Sequence, residues 1–262
     1  MGRASWIADL VRLDGGDQTF TTSATFGVGR RLYGGLIAAQ SLAAAGATVD
    51  PARLPQSLHA YFIKGGKVGV DVEFVVELTR DGGSFNTRRV TASQGGEAIF
   101  EMLVSFHRAE PTTDWQRTGP PSLSLTDATT VTGLPAAWAD HFEIRAATDG
   151  RDDWPAQPFW FRSREPIEED PLLRACALTF ISDMGLVSSA VPPGPQDSPG
   201  PRGAASLDHA LWLHRPFDPQ QWHHYGAVGV THSDARGFAL GTIQDGDGRL
   251  VASTAQESLW RI

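Results

Sequence analysis

The sequence predicts an α+β fold made of two fused repeats, each an antiparallel sheet wrapped around a buried helix. Three observations predict it. Several long runs alternate apolar and polar residues with a period of two. Two helical segments are apolar or small on almost every face, so no polar stripe is left to meet water and each should be enclosed. The same order of elements occurs twice: Ser57 matches Ser206, Glu97 matches Arg249 and Ser105 matches Ser258, at offsets of 149, 152 and 153.

In the first repeat the helix is GGLIAAQSLAAAGATV, Gly34–Val49, opened by paired glycines. The strand-like run SLHAYFI follows at 57–63, then alternating runs at 70–80, 83–94 and 97–108. In the 70–80 run Val70, Val72, Phe74 and Val76 share one face, opposite Asp71, Glu73 and Val75. The second repeat carries its helix at Leu172–Val187, then SLDHALWLH at 206–214 and strands at 224–233, 236–244 and 249–260. This gives an N-terminal repeat over 1–110, a linker over 111–137 rich in Pro, Thr and Ser, and a C-terminal repeat over 138–262. The Pro- and Gly-rich stretch at 191–204 reads as a loop.

Charge narrows the function classes. The 262 residues carry 22 Lys and Arg against 30 Asp and Glu, net −8, which argues against broad capture of nucleic acid or of an anionic membrane. Residues 1–110 are neutral, with 11 basic and 11 acidic side chains, so all the excess lies in the later half. No run is long and apolar enough to cross a membrane, and Asp9, Asp14 and Asp17 stand where a secretory signal would be apolar. The single cysteine, Cys176, lies among apolar neighbours and suggests a buried thiol in a cytoplasmic protein.

Asp183 is the first candidate for chemistry, because a carboxylate within an apolar helix costs several kcal/mol, roughly, to desolvate. Either the helix ends early and Asp183 sits at a solvated turn, or the carboxylate faces a cleft and can orient or deprotonate water. Gly34 and Gly35 let a ligand approach the amides of the first helical turn, which suit a developing oxyanion; the plain alternative is a tight strand-to-helix turn. No dinucleotide fingerprint, P-loop or nucleophile elbow occurs, and His209, His214, His223, His224 and His232 lack a metal-ligand pattern. Trp160 and Trp212 read as core residues or as walls of an acyl pocket.

The strings RLYGGLIAAQSL, SLHAYFIKGG, ELTRDGGSFNTRRVTASQGGEAIFEMLVSFHR, ISDMGL, ASLDHALWLHRPFD and DARGFALGTIQDGDGRLVASTAQESLWR together resemble the acyl-CoA thioesterase II (TesB-like) family. The resemblance covers about 20–110 and 155–262 and implies a double-hotdog fold. It implies hydrolysis of acyl-CoA to free acid and CoA by a water held by Asp, Thr and Gln, with no cofactor and no metal. Those roles fall on Asp183, Gln256 and, where the family has Thr, Ser206. By likeness to other hotdog enzymes, the amide of Gly35 is the expected oxyanion donor, and Gly34, Gly35 and His59 are the expected substrate-binding residues. Arg30, Arg31, Lys64, Lys67, Arg88 and Arg89 are candidates for the CoA phosphates. A homo-oligomer is expected, since exposed sheet edges invite pairing. Two alternatives stay open: a non-catalytic acyl-CoA or acyl-carrier binding protein, and a hydratase or dehydratase that would use His59.

Overall fold

The computed structural model describes residues 4–23, 27–28, 31–134, 136–147, 158–191 and 203–261. Arg30 and most of the proline-rich loop, 192–202, lie outside them. The chain divides into two compact units: residues 1–113, 167–183 and 210–213 form the first, and 114–166, 184–209 and 214–262 the second.

The elements that open the chain are α1 (Trp6–Leu10), β1 (Asp14–Gly16), β2 (Thr19–Thr22), β3 (Gly27–Val28), β4 (Arg31–Leu32), α2 (Gly34–Gly46), β5 (Arg53–Phe62), β6 (Val72–Asp81), β7 (Phe85–Gln94) and β8 (Glu97–Arg108). They continue with β9 (Thr129–Thr130), α3 (Ala136–Ala139), β10 (Phe142–Ala146), β11 (Phe159–Ser163), α4 (Pro171–Ser182), α5 (Leu186–Ser189), β12 (Ala204–Ser206), β13 (Asp208–Leu213), β14 (His223–Ser233), β15 (Arg236–Asp245) and β16 (Leu250–Trp260).

In the first unit the strands run antiparallel in the order β1-β2-β6-β7-β8-β5. The alternation seen in sequence becomes burial: Val72, Phe74 and Val76 are buried while Val75 is exposed. Val70, expected on the same face, precedes β6 and is exposed. Helix α2 packs across β5–β8. Its Ala, Leu and Ile side chains from Gly35 to Ala45 are buried, as a helix without a polar face requires.

In the second unit the order is β9-β10-β11-β14-β15-β16, with β12 added to β16, again antiparallel. The hairpin β10–β11 meets β14 as β1–β2 meets β6, so the repeat extends to strands that sequence patterning missed. Each repeat pairs two serines across its strands, Ser57 with Ser105 and Ser206 with Ser258. Residues 114–128 are irregular but attached within the second unit. Gln116 bonds Leu250 and Gly248, Gln244 reaches the Gly119 carbonyl, and the Trp160 indole donates to the Leu123 carbonyl at 2.8 Å. Trp160 is therefore a core residue.

The expected helix at 172–187 is broken. Asp170 caps α4 by accepting from the Leu172 and Leu173 amides, and Pro171 occupies the first turn, where a missing N–H costs nothing. The helix ends at Ser182, because Gly185 takes φ +81, a left-handed conformation closed to continuing helix. Within the first unit α4 packs against α2, and within the second α5 packs against β14–β16.

Candidate active site

Two clusters hold the residues that sequence singled out. The first is built where α2 begins. Tyr33 is the N-cap of α2 and gives no side-chain cap, leaving the first-turn amides to find acceptors elsewhere. One comes from Asp183, the C-cap residue of α4, whose Oδ2 accepts from the Gly35 N–H at 2.9 Å. The Tyr33 hydroxyl donates to the Phe180 carbonyl at 2.8 Å, and the Phe180 ring meets Tyr33 and Trp6 edge-on at 5.0 and 5.5 Å. The last turn of α4 is thus fastened to the first turn of α2.

The paired glycines are a requirement of this contact. A Cβ on Gly34 would lie 2.6 Å from Asp183 Oδ2, and one on Gly35 would collide with the Phe180 carbonyl oxygen. Asp183 is only 9% exposed, so the solvated turn anticipated as one reading is excluded, although the helix does end early as that reading held. Its charge faces the positive end of α2. The expectation for Gly35 is corrected: its amide is not an uncommitted oxyanion donor, because it already donates to the Asp183 carboxylate.

The second cluster lies on β12, β13 and β16. Gln256, fully buried on β16, donates from Nε2 to Ser206 Oγ at 3.0 Å and to Ser258 Oγ at 3.3 Å. Its Oε1 lies 2.9 Å from His209 Nδ1. His209 is 1% exposed, and burial pushes its pKa down to about 4 despite the hydrogen bond to Gln256 Oε1 that opposes the shift. The imidazole is neutral at physiological pH. The sequence reading missed His209 because it sought metal-ligand spacing. The available signal was its phase in DHALWL, where His209 and Leu211 point inward.

His59 joins neither cluster. It is exposed on β5 between buried Leu58 and Ala60, so it faces away from α2, and its ring meets Trp212 edge-on at 5.1 Å. Its expected substrate-binding role has no support in this placement. Arg88 is likewise corrected as a phosphate ligand. It is 2% exposed and its guanidinium is committed to Asp81, Thr48 and the Arg80 and Thr87 carbonyls. Lys64 pairs with Glu97, and Arg89 with Glu77 and Glu101. Arg31 and Lys67, exposed and joined by a backbone bridge, pair with no acidic side chain among the described residues. The Cys176 thiol is buried, which pushes its pKa up and makes it inert.

Residues 21–107 match the acyl-CoA thioesterase N-terminal domain family, and residues 117–260 the acyl-CoA thioesterase C-terminal domain family. The chain is 31% identical over 260 residues to Homo sapiens acyl-coenzyme A thioesterase 8, covering 89% of this chain and 81% of that protein. Among solved structures, acyl-CoA thioesterase II TesB2 from Mycobacterium marinum is similar at 34% identity and a TM-score of 0.79, covering 97% of this chain and 96% of its own. A hot dog fold protein of unknown function from Alicyclobacillus acidocaldarius, at 18% identity and a TM-score of 0.77 over 99% of each chain, matches in fold. The two repeats are hotdog repeats. With both of its halves matched in order, the chain belongs to the acyl-CoA thioesterase family, as a TesB-like thioesterase II of double-hotdog fold and a thioester hydrolase.

Proposed function

We propose that the protein hydrolyses acyl-CoA thioesters to a carboxylic acid and CoA, with Asp183, Ser206 and Gln256 as its catalytic residues. The observation that carries this reading is the fully buried Gln256 side chain bonded to Ser206 Oγ at 3.0 Å, the residue pair the family resemblance assigns to holding water. Asp183 takes a proton from the attacking water, whose oxygen bonds to the thioester carbon. Collapse of the tetrahedral intermediate breaks the C–S bond, and the sulfur leaves as thiolate to be protonated. The Ser206 hydroxyl, held in place by the Gln256 carboxamide, is an uncharged donor that stabilises charge in the transition state without having to reorganise. Arg31 and Lys67 are the cations assigned here to the CoA phosphates. The division into repeats at 1–110 and 138–262 about a 111–137 linker, a cytoplasmic location and a homo-oligomeric state belong to the same proposal. The outward-facing Tyr61, Ile63 and Leu103 of the first unit support the last of these.

The test is thiol release from short, medium and long acyl-CoAs by the wild type, Asp183→Asn, Gln256→Ala and the double variant. Residues serving one chemical step give losses that are far from additive. Absence of thiol release from every acyl-CoA, with binding retained, would leave a binding protein instead. Loss of enoyl-CoA absorbance would mark a hydratase, a reading the outward placement of His59 disfavours.

A further inference from the structure

The two repeats provide an internal control on which buried polar groups the fold needs. The burial patterns of β8 and β16 coincide when Ile99–Phe100 is laid on Val251–Ala252, 152 residues apart. In that phase Gln256 takes the inward position of Val104, and Ser258 that of Phe106 rather than of Ser105. Val104 pairs across the strands with Leu58, and both are fully buried. Gln256 is bonded to His209, also buried, on the strand that follows Ser206. One cross-strand slot thus holds an apolar pair in the first repeat and an imidazole and a carboxamide in the second. Packing is satisfied by the apolar pair, and burying the polar one costs desolvation that only its hydrogen bonds offset. The fold therefore does not call for His209.

A carboxamide can turn end for end without changing shape, so its neighbours decide which end faces Ser206. We infer that His209 is a positioning residue: it donates Nδ1–H to Gln256 Oε1, so that the Gln256 Nε2 amide faces Ser206 Oγ and the Ser206 hydroxyl proton is left for the reacting group. Being neutral, the imidazole carries one N–H, and the tautomer sets the direction of the whole chain of bonds. The opposite tautomer would draw Nε2 to the imidazole and turn Oε1 to Ser206, whose proton would then be spent on Gln256. Only the final step, donation by Ser206, rests on the hydrolase reading.

The experiment combines ¹⁵N NMR of the His209 ring in the full-length protein with thiol-release kinetics of two variants. His209→Leu installs the side chain of Leu58, and His209→Asn returns an N–H close to the Nδ1 position. The expected spectrum is a neutral Nδ1–H tautomer that does not titrate between about pH 6 and 8. Expected kinetics are a fall of about 100-fold in kcat for His209→Leu with KM within about threefold, and recovery to within about tenfold of wild type in His209→Asn. An Nε2–H tautomer, a folded His209→Leu protein with wild-type kcat, or an Asn variant no better than Leu would overturn the inference. Should the wild type release no thiol, the hydrolase reading falls by itself. The ring spectrum, with the Gln256 amide resonances of wild type and His209→Asn, still decides whether His209 orients the carboxamide.

Discussion

Replacing Asp183 by Asn separates two roles that one carboxylate performs. In the native structure Oδ2 accepts from the Gly35 amide at 2.9 Å, at the start of a helix whose own N-cap residue offers no side-chain cap. Asn keeps the shape and one acceptor, so the bond survives as a neutral one. A hydrogen bond to an ionised acceptor contributes about 1.5–3 kcal/mol and a neutral one about 0.5–1.5. Part of that difference is the interaction of the charge with the helix dipole, about 0.3–1 kcal/mol near a surface and up to about 2 when partly buried. The net stability loss is therefore about 1–2 kcal/mol, a fall in Tm of about 3–6 °C for a chain of this size. Loss of a general base, by contrast, lowers turnover by about 10²–10⁴-fold. Calorimetry and thiol release on the same preparation test both. A Tm within a degree or so of wild type would refute the capping argument. A folded variant with unchanged kcat would refute the base and leave Asp183 as a cap alone.

Gly35→Ala is expected to lose about 3 kcal/mol in urea unfolding, because its Cβ meets the unyielding Phe180 carbonyl, and to lose activity with it. Ser206→Thr should preserve or raise kcat/KM in the thiol-release assay, since the hydroxyl is kept and the family's methyl restored; a loss would mean that Ser206 sits in a differently shaped pocket. Unfolded His209 binds a proton near 6.5, whereas the folded one resists until about 4, so stability should decline as pH falls through that window. The loss is about 3 kcal/mol from this group, read as the difference in urea unfolding between wild type and His209→Asn at each pH. Arg88→Met should cost about 3 kcal/mol of stability by stranding the Arg80 and Thr48 carbonyls it serves, with KM for acyl-CoA unchanged, whereas Lys67→Ala should raise KM and spare stability.

Local pattern carried much of the architecture. Period-two alternation placed β6, β7, β8, β14, β15 and β16 to within a few residues, and the absence of a polar stripe identified α2 as enclosed. Order and spacing exposed the duplication because a repeated fold repeats its burial phase. The short strands β1, β2, β10 and β11 escaped, being too brief for an alternation to register. Asp183 stood out as a charge in apolar company, and the family resemblance supplied Ser206 and Gln256.

What the sequence by itself determined was which side of each strand is apolar, which helix has no face for water, and which carboxylate needs a reason to be buried. Tertiary structure decided the partners. Gly35 and Asp183 are 148 residues apart, and Gln256 lies 50 from Ser206 and 47 from His209. It also decided that Arg88 turns inward to serve carbonyls and that His59 turns away from α2. Periodicity is a property of neighbours in the chain, enforced residue by residue by burial. A hydrogen bond between distant segments exists only once packing has brought them together, and the same residue types at the same spacing are compatible with many such pairings.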